Sequence, residues 1–490
     1  METAFQRHGC RTKNFSGTWL YRFKRESGEL IRLRVEELVT VCDGTLYNSQ
    51  KGSTLFDGVS IDSRSVSPGA LFIAIKGEKN DGHDFISQAI ESGAGSLLVQ
   101  YDYPLINQIP GNVPYVAVKD SHQAMLTLAK NYRDSLDAEF TAITGSNGKT
   151  TTKELTYCLL SAVEEKSYRS PGNLNNLFGV PLSLFAVESD AKACILELGI
   201  STKNEMPQLA QLVNPDVVLF TNIGSSHLQY LTSKEDVAKA KLELVKNAKA
   251  DVKVILNADD QVLVSEAKNI RESFITFGLD KDADFMIDSI NQNTDGSTTV
   301  VIENNRFHLP LVGKHQVYNL LAAYAIVRTL GYSFFEVDTE KINLATAPMR
   351  GQMQKVNNFI IITDYYNANP ESMKAGLEAF FNMPNENRRV LILGDMLELG
   401  KKETAYHQEV GEFLSDKKYD ILITVGKLAK EIAKNCNQQA GSIVQYTDKN
   451  EATSDILNYL KPNDFIYMKA SRGIGLENIY DVLQHQREDT

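Results

Sequence analysis

From about Phe140 onward, short apolar runs alternate with longer runs in which apolar residues recur at helical spacing. The short runs are predicted to be buried strands, and they are Phe140–Thr144, Cys194–Leu198, Val217–Thr221, Val252–Leu256 and Ser273–Phe277. The longer runs are predicted to be helices, and they are Lys149–Glu164, Lys203–Val213, Lys234–Ala248 and His315–Leu330. Strands that alternate with helices predict a parallel sheet with helices on its faces.

The stretch Phe285–Leu311 departs from that pattern. Its polar and apolar residues alternate, and turn-forming residues are frequent in it. Alternation of this kind is typical of strands with one exposed face, so we expect an antiparallel excursion here.

A second array of strands and helices starts near Met349. Its predicted strands are Phe359–Asp364, Val390–Gly394, Ile421–Val425 and Phe465–Met468, and its helices include Ser372–Phe381 and Thr404–Leu414. This order predicts an open, Rossmann-like sheet. The array contains no GxGxxG, so the pattern does not indicate a bound dinucleotide.

The chain before residue 137 is patterned more weakly. Short apolar runs at Val59–Ile61, Ala70–Ile75, Ser96–Val99 and Val116–Val118 predict strands, and Gln123–Asp134 predicts a helix. Residues 1–33 hold seven Lys or Arg residues and few aliphatic ones. Such a segment offers little to bury, so it is predicted to be a poorly ordered extension, with a partner-binding arm as the alternative.

The predicted fold is therefore α/β with three domains. Residues 34–136 form a small N-terminal α/β domain, residues 137–347 a central P-loop-type domain with a mostly parallel sheet flanked by helices, and residues 348–490 a Rossmann-like domain. A length of 490 residues is ample for these three cores.

Composition narrows the function classes. The net charge of −11 argues against general binding of nucleic acids or anionic membranes, so any site for a polyanion must be local. The five scattered cysteines form no CxxC pair, which suits a reducing cytoplasm and gives no zinc signature. No apolar run approaches the roughly 18 residues of a membrane span, so we expect no membrane insertion.

The most informative stretch is TAITGSNGKTTTKEL, Thr141–Leu155, in which a strand, a glycine turn and a helix start follow one another. Backbone N–H groups at a helix start lack intrahelical partners and attract an anion. Gly145 and Gly148 allow a close turn, Lys149 adds a positive charge, and the Thr150 hydroxyl can reach Mg²⁺. The short GxxGKT pattern is weakly specific, and a glycine turn with a surface lysine remains the alternative.

Other candidates follow predicted strands. Glu197 ends a buried strand, where a carboxylate is well placed for Mg²⁺ or is merely solvated. His227 follows Val217–Thr221 and could equally be structural. Lys241 lies in a helical run, where a lysine usually belongs to a solvated face. Arg350 lies near the junction of the second and third sections and is a candidate phosphate clamp.

Asp364 ends a predicted strand and is followed by Tyr366-Asn367-Ala368-Asn369-Pro370. Proline is favoured at the first helical position and asparagine at the N-cap, so Asn369 is predicted either to cap the next helix or to serve a site.

In this order, TGSNGKTT, ELG, NIGSSH, AKAKLE, GKHQVYN, MRGQ and DYYNANP resemble the Mur ligase family of peptidoglycan synthesis. The resemblance runs from about residue 35 to the C-terminus, and YNANP and GDMLELG are its most specific parts. The family uses the short TGxNGKT loop, which accounts for the missing first glycine of a full P-loop. The DNPR motif of the family member that selects meso-diaminopimelate is absent.

The resemblance implies an ATP-dependent ligase that uses two Mg²⁺ ions. It implies catalytic roles for Lys149, His227, Lys241 and Arg350, and metal contacts from Thr150, Glu197, His227 and a carbamylated Lys241. The implied ATP-binding residues are Gly145, Ser146, Asn147, Gly148, Lys149, Thr150, Thr151, Asn319, Arg350, Asp364 and Asn367.

The resemblance further implies the substrates UDP-N-acetylmuramoyl-tripeptide and D-alanyl-D-alanine. The implied contacts to the UDP-sugar and its peptide are Ser63, Arg64, Lys76, Asp81, His83, Asn173, Asn175 and Asn176. Lys469 and Arg472 are candidates for the dipeptide, or a basic pair in a surface loop. We expect a cytoplasmic monomer that binds no nucleic acid.

Three alternatives stay open at this point. One is another amide ligase of the same family, either an amino-acid-adding ligase or a folylpolyglutamate synthase. The second is a nucleotide-dependent switch protein, which the absence of an NKxD guanine motif disfavours. The third is a non-catalytic scaffold, against which the intact Lys149, Glu197, His227 and Lys241 argue.

Overall fold

The computed structural model describes residues 32–48, 55–202, 204–225, 231, 233–293, 296–311, 313–345, 347–436 and 442–485. The chain divides into two compact units: Met1–Ala138 with Leu177–Cys194, and Glu139–Asn176 with Ile195–Thr490. Residues 1–31 of the predicted extension, and His227, lie outside the described residues.

The first unit contains a five-stranded sheet in the order β2-β7-β6-β5-β4, in which only β2 runs antiparallel to its neighbour. A separate antiparallel pair joins β1 and β3. The elements are β1 Arg32–Arg34, α1 Val35–Cys42, β2 Thr45–Tyr47, β3 Leu55–Asp57, β4 Val59–Ser60, β5 Leu71–Ile73, α2 Ile86–Glu91, β6 Ser96–Gln100, β7 Tyr115–Val118 and α3 Ser121–Ser135. The core strands β5, β6 and β7 are buried on both faces, as their continuous apolar runs predict.

The second unit begins with a six-stranded sheet in the order β13-β12-β11-β8-β10-β9. The pairings of β11 with β8 and β12, and of β12 with β13, are parallel. The elements of this part of the chain are β8 Glu139–Thr144, α4 Lys149–Ser161, β9 Ser167–Arg169, α5 Gly179–Phe185 (which belongs to the first unit), β10 Ala193–Glu197, α6 Glu205–Val213, β11 Val217–Phe220, α7 Lys234–Asn247, β12 Lys253–Asn257, α8 Gln261–Lys268, β13 Ile275–Phe277 and α9 Lys314–Thr329.

A three-stranded antiparallel sheet interrupts this part of the chain before α9. It consists of β14 Ser289–Gln292, β15 Thr298–Ile302 and β16 Asn305–Leu309. Glu303 and Asn304 between the last two strands both have positive φ, the conformation that two-residue hairpin turns need. The predicted antiparallel excursion is confirmed.

A second six-stranded sheet, in the order β17-β18-β22-β19-β20-β21, ends the chain. All its pairings are parallel except that of the edge strand β17 with β18. The elements are β17 Gln352–Val356, β18 Phe359–Thr363, α10 Pro370–Asn382, β19 Arg389–Gly394, α11 Glu403–Leu414, β20 Ile421–Val425, α12 Lys430–Asn435, β21 Ser442–Tyr446, α13 Lys449–Asp455, β22 Phe465–Lys469 and α14 Glu477–His485.

The predicted α/β class, with mostly parallel sheets flanked by helices, is confirmed. The four buried strands predicted after Met349 are present, and the two edge strands β17 and β21 are additional. Both edge strands carry exposed polar side chains, which is why no apolar run marks them. Among the described residues, no helix is long and apolar enough to cross a membrane.

Candidate functional site

The phosphate loop predicted from the sequence connects β8 to α4. Gly145 and Gly148 have φ values of 148° and 83°, a region that favours glycine. A Cβ atom at Gly145 would collide with Thr221 Oγ1, and one at Gly148 would collide with Asn319 Oδ1. Both positions therefore require glycine, for lack of space as well as for conformation.

Residues at the end of β11 hold the loop in shape. The backbone N–H groups of Ser146 and Asn147 donate to the carbonyl and side-chain oxygens of Asn222, each at 2.9 Å. Thr221 Oγ1 donates to the carbonyl of Asn147 at 2.6 Å. The N–H groups left for an anion are then those at the start of α4, where a helix has no internal acceptors for them.

Lys149 is half-buried and folds back over the loop. Its Nζ donates to the carbonyls of Gly145 at 2.8 Å and Ser146 at 3.4 Å. Burial lowers the pKa of Lys149; Glu197 opposes that shift, and Arg350 adds to it. The alternative of a surface lysine is therefore wrong, because this ammonium group is held inside the loop.

Glu197 lies at the end of β10 and is only 2 % exposed. Its carboxylate accepts hydrogen bonds from Thr150 Oγ1 at 2.6 Å and Asn175 Nδ2 at 2.8 Å. Burial would raise the pKa of Glu197, but Lys149 and other nearby cations outweigh burial and lower it. The carboxylate is therefore ionised and not merely solvated, and it lies beside a hydroxyl group.

Two further lysines are buried around this carboxylate. Lys241 of α7 is 1 % exposed, and burial followed by repulsion from Lys149 lowers its pKa well below the usual value. The alternative of a solvated helix face is wrong for Lys241. Lys153, which the sequence did not single out, is fully buried and donates to the carbonyls of Ser170 and Gly172, both at 2.6 Å.

Helix α10 begins at Pro370 with Asn369 as its N-cap, as predicted: Asn369 Oδ1 accepts from the backbone N–H of Ser372 at 2.8 Å. The same side chain pairs with Asn147 of the phosphate loop. One residue further into the helix, Glu371 accepts from Ser225 Oγ at 2.8 Å and lies 2.9 Å from Lys234 Nζ. These contacts join the start of α10 to the phosphate loop and to α7.

Asp364 and Lys469 form an ion pair of 2.7 Å between the ends of β18 and β22. Tyr467 Oη also donates to Asp364 Oδ2, at 2.9 Å. Lys469 is 3 % exposed, so the alternative that it belongs to a surface pair is wrong. Arg472 is exposed; its Nη2 atom lies 3.6 Å from Glu477 Oε1.

A cleft of about 730 Å³ collects most of the predicted residues. The predicted residues that line it are Ser146, Asn147, Gly148, Lys149, Thr150, Thr151, Asn173, Asn175, Asn176, Glu197, Lys241, Asn319, Arg350, Asp364, Asn367, Lys469 and Arg472. We refer to this space as the cleft. Within the part of the chain that the structure describes, no three His, Cys, Asp or Glu side chains form a metal cluster.

The sequence missed several residues of the cleft wall on α9. His315, Gln316 and Tyr318 line the cleft beside the predicted Asn319. Gln316 Oε1 accepts from Asn319 Nδ2 at 3.0 Å, and Tyr318 Oη donates to Asp259 at 2.7 Å. The motif GKHQVYN predicts a role only for its last residue, Asn319; the helical spacing of its polar residues is the signal for the others.

The remaining candidates, Ser63, Arg64, Lys76, Asp81 and His83, belong to the first unit. His83 is buried, with Nδ1 2.6 Å from Asp81 and Nε2 accepting from the backbone N–H of Gln100 at 3.0 Å. The two ring nitrogens of His83 therefore tie its loop together and join it to the end of β6. Ser63 Oγ donates to Gln88 at 2.7 Å, while Arg64 is exposed and paired with Asp62 at 2.7 Å.

Three family models match the chain. They are described as the Mur ligase family catalytic domain (residues 55–133), the Mur ligase middle domain (143–327) and the Mur ligase glutamate ligase domain (349–472). The middle-domain match thus coincides with the first six-stranded sheet and its helices, and the glutamate ligase match coincides with the second.

Curated relatives match nearly the whole chain. The UDP-N-acetylmuramoyl-tripeptide–D-alanyl-D-alanine ligase of Bacillus subtilis is 35% identical over 92% of this chain and 98% of its own length. The ligase of the same name from Escherichia coli is 31% identical over 93% of this chain and 99% of its own length.

Solved structures with a similar fold carry the same ligase name in abbreviated form, MurF. The chain is similar to MurF from Acinetobacter baumannii, with a TM-score of 0.82 and 25% identity over 94% of this chain and all of that one. It is also similar to MurF ligase from Thermotoga maritima in complex with ADP, with a TM-score of 0.73 and 27% identity over 87% of this chain and 97% of that one.

Proposed function

This chain belongs to the Mur ligase family, and we propose that it joins D-alanyl-D-alanine to UDP-N-acetylmuramoyl-tripeptide, with hydrolysis of ATP to ADP and phosphate. It is an ATP-dependent ligase that forms an amide bond in the synthesis of peptidoglycan precursors. One observation carries the chemistry: the phosphate loop, the ionised Glu197 and the buried Lys241 line the same cleft.

The reaction needs an activated carboxylate. A free carboxylate is a poor acyl donor, since oxide is a poor leaving group. Attack of the tripeptide carboxylate on the γ-phosphorus of ATP forms a C–O–P linkage and releases ADP. The amine of D-alanyl-D-alanine then attacks the acyl carbon, a tetrahedral intermediate forms, and phosphate leaves as the amide bond is made. The cleft must exclude water, because water would hydrolyse the acyl phosphate.

Phosphoryl transfer needs in-line positioning and compensation of negative charge rather than covalent catalysis by the protein. We assign that compensation to Lys149, Arg350 and the N-terminus of α4. Support comes from their common position on the cleft wall, and from the charge of Arg350, which contributes to lowering the pKa of Lys149 as a neighbouring cation does. The loop carbonyls of Gly145 and Ser146 keep Lys149 in place.

We propose that two Mg²⁺ ions bind in the cleft, and two of the residues present have the donor chemistry that Mg²⁺ prefers. Thr150 Oγ1 and Glu197 Oε2 are hard oxygen donors only 2.6 Å apart, which is the donor chemistry that this cation prefers. When bound, Mg²⁺ would neutralise charge on the phosphate oxygens. His227 completes the proposed ligand set and lies outside the described residues.

We propose that Lys241 is carbamylated. Its lowered pKa favours the neutral amine, which is the form that can attack carbon dioxide. The Nζ lone pair forms an N–C bond, Nζ loses a proton, and the product is an anionic carbamate. This would turn an amine into an oxygen donor facing Glu197, and it would relieve the repulsion between Lys241 and Lys149.

We assign residues to each part of the substrates on the basis of the resemblance to the Mur ligase family. Asn319 is assigned to the adenine, and Asp364 and Asn367 to the ribose and its surroundings; all three line the cleft. Lys469 and Arg472 are assigned to the dipeptide carboxylate, although Lys469 must then share its charge with Asp364. Asn173, Asn175 and Asn176 are assigned to the muramoyl-peptide, and the UDP end to the five candidates of the first unit, Ser63, Arg64, Lys76, Asp81 and His83. We further propose that the protein is a monomer and that it acts in the cytoplasm, where ATP is available.

The proposal is tested by a matrix of substrate pairs. The purified protein is incubated with ATP and either UDP-N-acetylmuramoyl-tripeptide or the corresponding dipeptide, each combined with D-alanyl-D-alanine or with a single amino acid. We expect phosphate release and a ligated product only for tripeptide plus D-alanyl-D-alanine. Release only for the dipeptide plus an amino acid would instead identify an amino-acid-adding ligase. A separate incubation with ATP, a folate substrate and glutamate tests the other alternative, and phosphate release only there would identify a folylpolyglutamate synthase.

A further inference from the structure

We propose that Tyr366 is a positioning residue that holds the guanidinium group of Arg350 against the phosphate-binding part of the cleft. This inference rests on the proposed function, since Arg350 is assigned there to the γ-phosphoryl group. The ring of Tyr366 lies under Arg350, with 3.9 Å between Arg350 Cζ and the ring centroid. Both residues line the cleft.

The backbone around Arg350 is bent in a way that needs support. Met349 has φ 63°, unusual for a residue with a side chain, and Gly351 has φ 78°. The carbonyl of Met349 accepts from the backbone N–H of Tyr366 at 3.2 Å, and the N–H of Gly351 donates to the carbonyl of Thr363 at 2.9 Å. The chain that carries Tyr366 therefore also fixes the bend that turns Arg350 into the cleft.

The stacking contact has a property that an ion pair would lack. An aromatic ring attracts a guanidinium group through its face, so the contact consumes none of the N–H donors, which lie in the plane of the group. Arg350 Nε is buried and makes no hydrogen bond within the described residues. Because no hydrogen bond from Nε to the described residues fixes the guanidinium group, the contact with the ring of Tyr366 orients it. The N–H donors of the two terminal nitrogens of Arg350 stay available for an anion.

The charged groups near Arg350 show which competing contact the ring of Tyr366 prevents. Arg350 is close enough to lower the pKa of both Lys149 and Glu197. A guanidinium group free to move would be attracted to the buried carboxylate of Glu197 and repelled by Lys149. An ion pair of Arg350 with Glu197 would occupy both the phosphate clamp and the oxygen donor proposed for Mg²⁺. The ring of Tyr366 holds Arg350 away from that pairing.

The test compares Tyr366→Leu, Tyr366→Phe and Arg350→Lys with the double variant Tyr366→Leu/Arg350→Lys. Removing the ring is expected to lower kcat/KM for ATP about 3- to 30-fold, the size of a cation–π contact, through a lower kcat and a higher KM for ATP. Tyr366→Phe keeps the ring and should retain most of kcat. In the Arg350→Lys background, Tyr366→Leu should cost little more, because the two side chains act as one unit.

The matched control is Tyr157→Leu. Tyr157 also lies under an arginine, with 3.8 Å between Arg169 Cζ and its ring centroid, but it is not among the residues that line the cleft. Tyr157→Leu should leave kcat unchanged. Full activity of Tyr366→Leu, an equal loss in Tyr366→Phe, or additive losses in the double variant would each overturn the positioning role.

A binding measurement separates this inference from the proposed function. Calorimetry with ADP and with a nonhydrolysable ATP analogue measures the preference for the γ-phosphate without any acceptor substrate. Tyr366→Leu should reduce the preference for the analogue by a similar 3- to 30-fold factor. If ligation fails for every substrate pair but this preference falls, the positioning role stands and the proposed function fails. If ligation occurs and neither kcat nor the preference changes, the positioning role fails alone.

Discussion

Asn147 and Asn369 form a reciprocal pair of amide hydrogen bonds, with Asn369 Nδ2 2.8 Å from Asn147 Oδ1 and Asn147 Nδ2 3.3 Å from Asn369 Oδ1. Asn147 belongs to the phosphate loop, whereas Asn369 caps helix α10 of the second six-stranded sheet. Asn369 is buried, so water competes little for these hydrogen bonds. The two sheets of the second unit are thus joined at the point where ATP is expected to bind.

Variants of Asn369 should separate capping from bridging. Serine is a good N-cap but is too short to pair with Asn147, whereas alanine can do neither. We expect Asn369→Ala to lower the free energy of unfolding by about 1–2 kcal/mol and Asn369→Ser by less than about 1 kcal/mol. Both should slow ligation, as measured by phosphate release. Asp448→Ala, at the cap of α13, is the control that should affect stability alone; a fully active Asn369→Ser would show that the pair has no role in ligation.

Variants of Lys149 and Lys153 should separate effects on activity from effects on stability. Lys149→Met should reduce kcat by about 10²–10³, the effect of removing one charge-stabilising group. Its stability should hardly change, since water in the cleft can solvate the carbonyl of Gly145. Lys153 is fully buried, and Lys153→Met leaves the carbonyls of Ser170 and Gly172 without this donor, so the free energy of unfolding should fall by about 1–3 kcal/mol. Denaturant unfolding and initial rates measure both effects; equal stability losses in the two variants would contradict this division.

A carbamate on Lys241 should be directly visible. Protein equilibrated with isotopically labelled bicarbonate should give a carbamate carbon resonance that is lost in Lys241→Arg. The same substitution should lower kcat by about 10²–10³ through loss of an oxygen donor in the site. Lys239 lies on the same helix and is well exposed, so Lys239→Arg should keep both the resonance and the activity. A resonance that survives in Lys241→Arg would place the carbamate elsewhere.

His315 should make stability depend on pH. Burial lowers the pKa of His315 to about 4, with Asp364 opposing and Lys469 adding to the shift. A histidine in the unfolded chain has a pKa of about 6.5, so between these values the unfolded state binds a proton that the folded state does not. Stability should therefore fall as the pH decreases from about 6.5 towards 4. His315→Gln should show a shallower fall in denaturant unfolding over this range; parallel curves for the two proteins would contradict the assignment.

The buried strands were predictable because they are continuous apolar runs. Val390–Gly394 and Ile421–Val425 were predicted within a residue of β19 and β20. The edge strand β17 has one buried side chain among five, and so an apolar run could not reveal it. Pairing with β18, a contact made by the backbone, is what places Gln352–Val356 in the sheet.

The parts of the site that depend on local backbone geometry were predictable from the sequence. The glycines of the phosphate loop and the cap at Asn369 follow from backbone geometry, and the structure contains both. Lys241 is different, because a lysine within a helical run looks the same whether it is buried or solvated. Its burial depends on how α7 packs, which only tertiary structure reveals, and the resemblance to a family supplied what the residue pattern could not. The pairing of Arg350 with Tyr366 likewise joins two segments that no local pattern connects.

The central claim is that this cleft activates the tripeptide carboxylate with ATP and transfers the acyl group to D-alanyl-D-alanine. The most direct measurement uses UDP-N-acetylmuramoyl-tripeptide labelled with heavy oxygen in its terminal carboxylate, together with ATP and D-alanyl-D-alanine. Mass spectrometry should find the ligated pentapeptide product and one labelled oxygen transferred to inorganic phosphate, with both signals strongly reduced in Lys149→Met. Phosphate without the label, or ATP hydrolysis without a ligated product, would contradict the account.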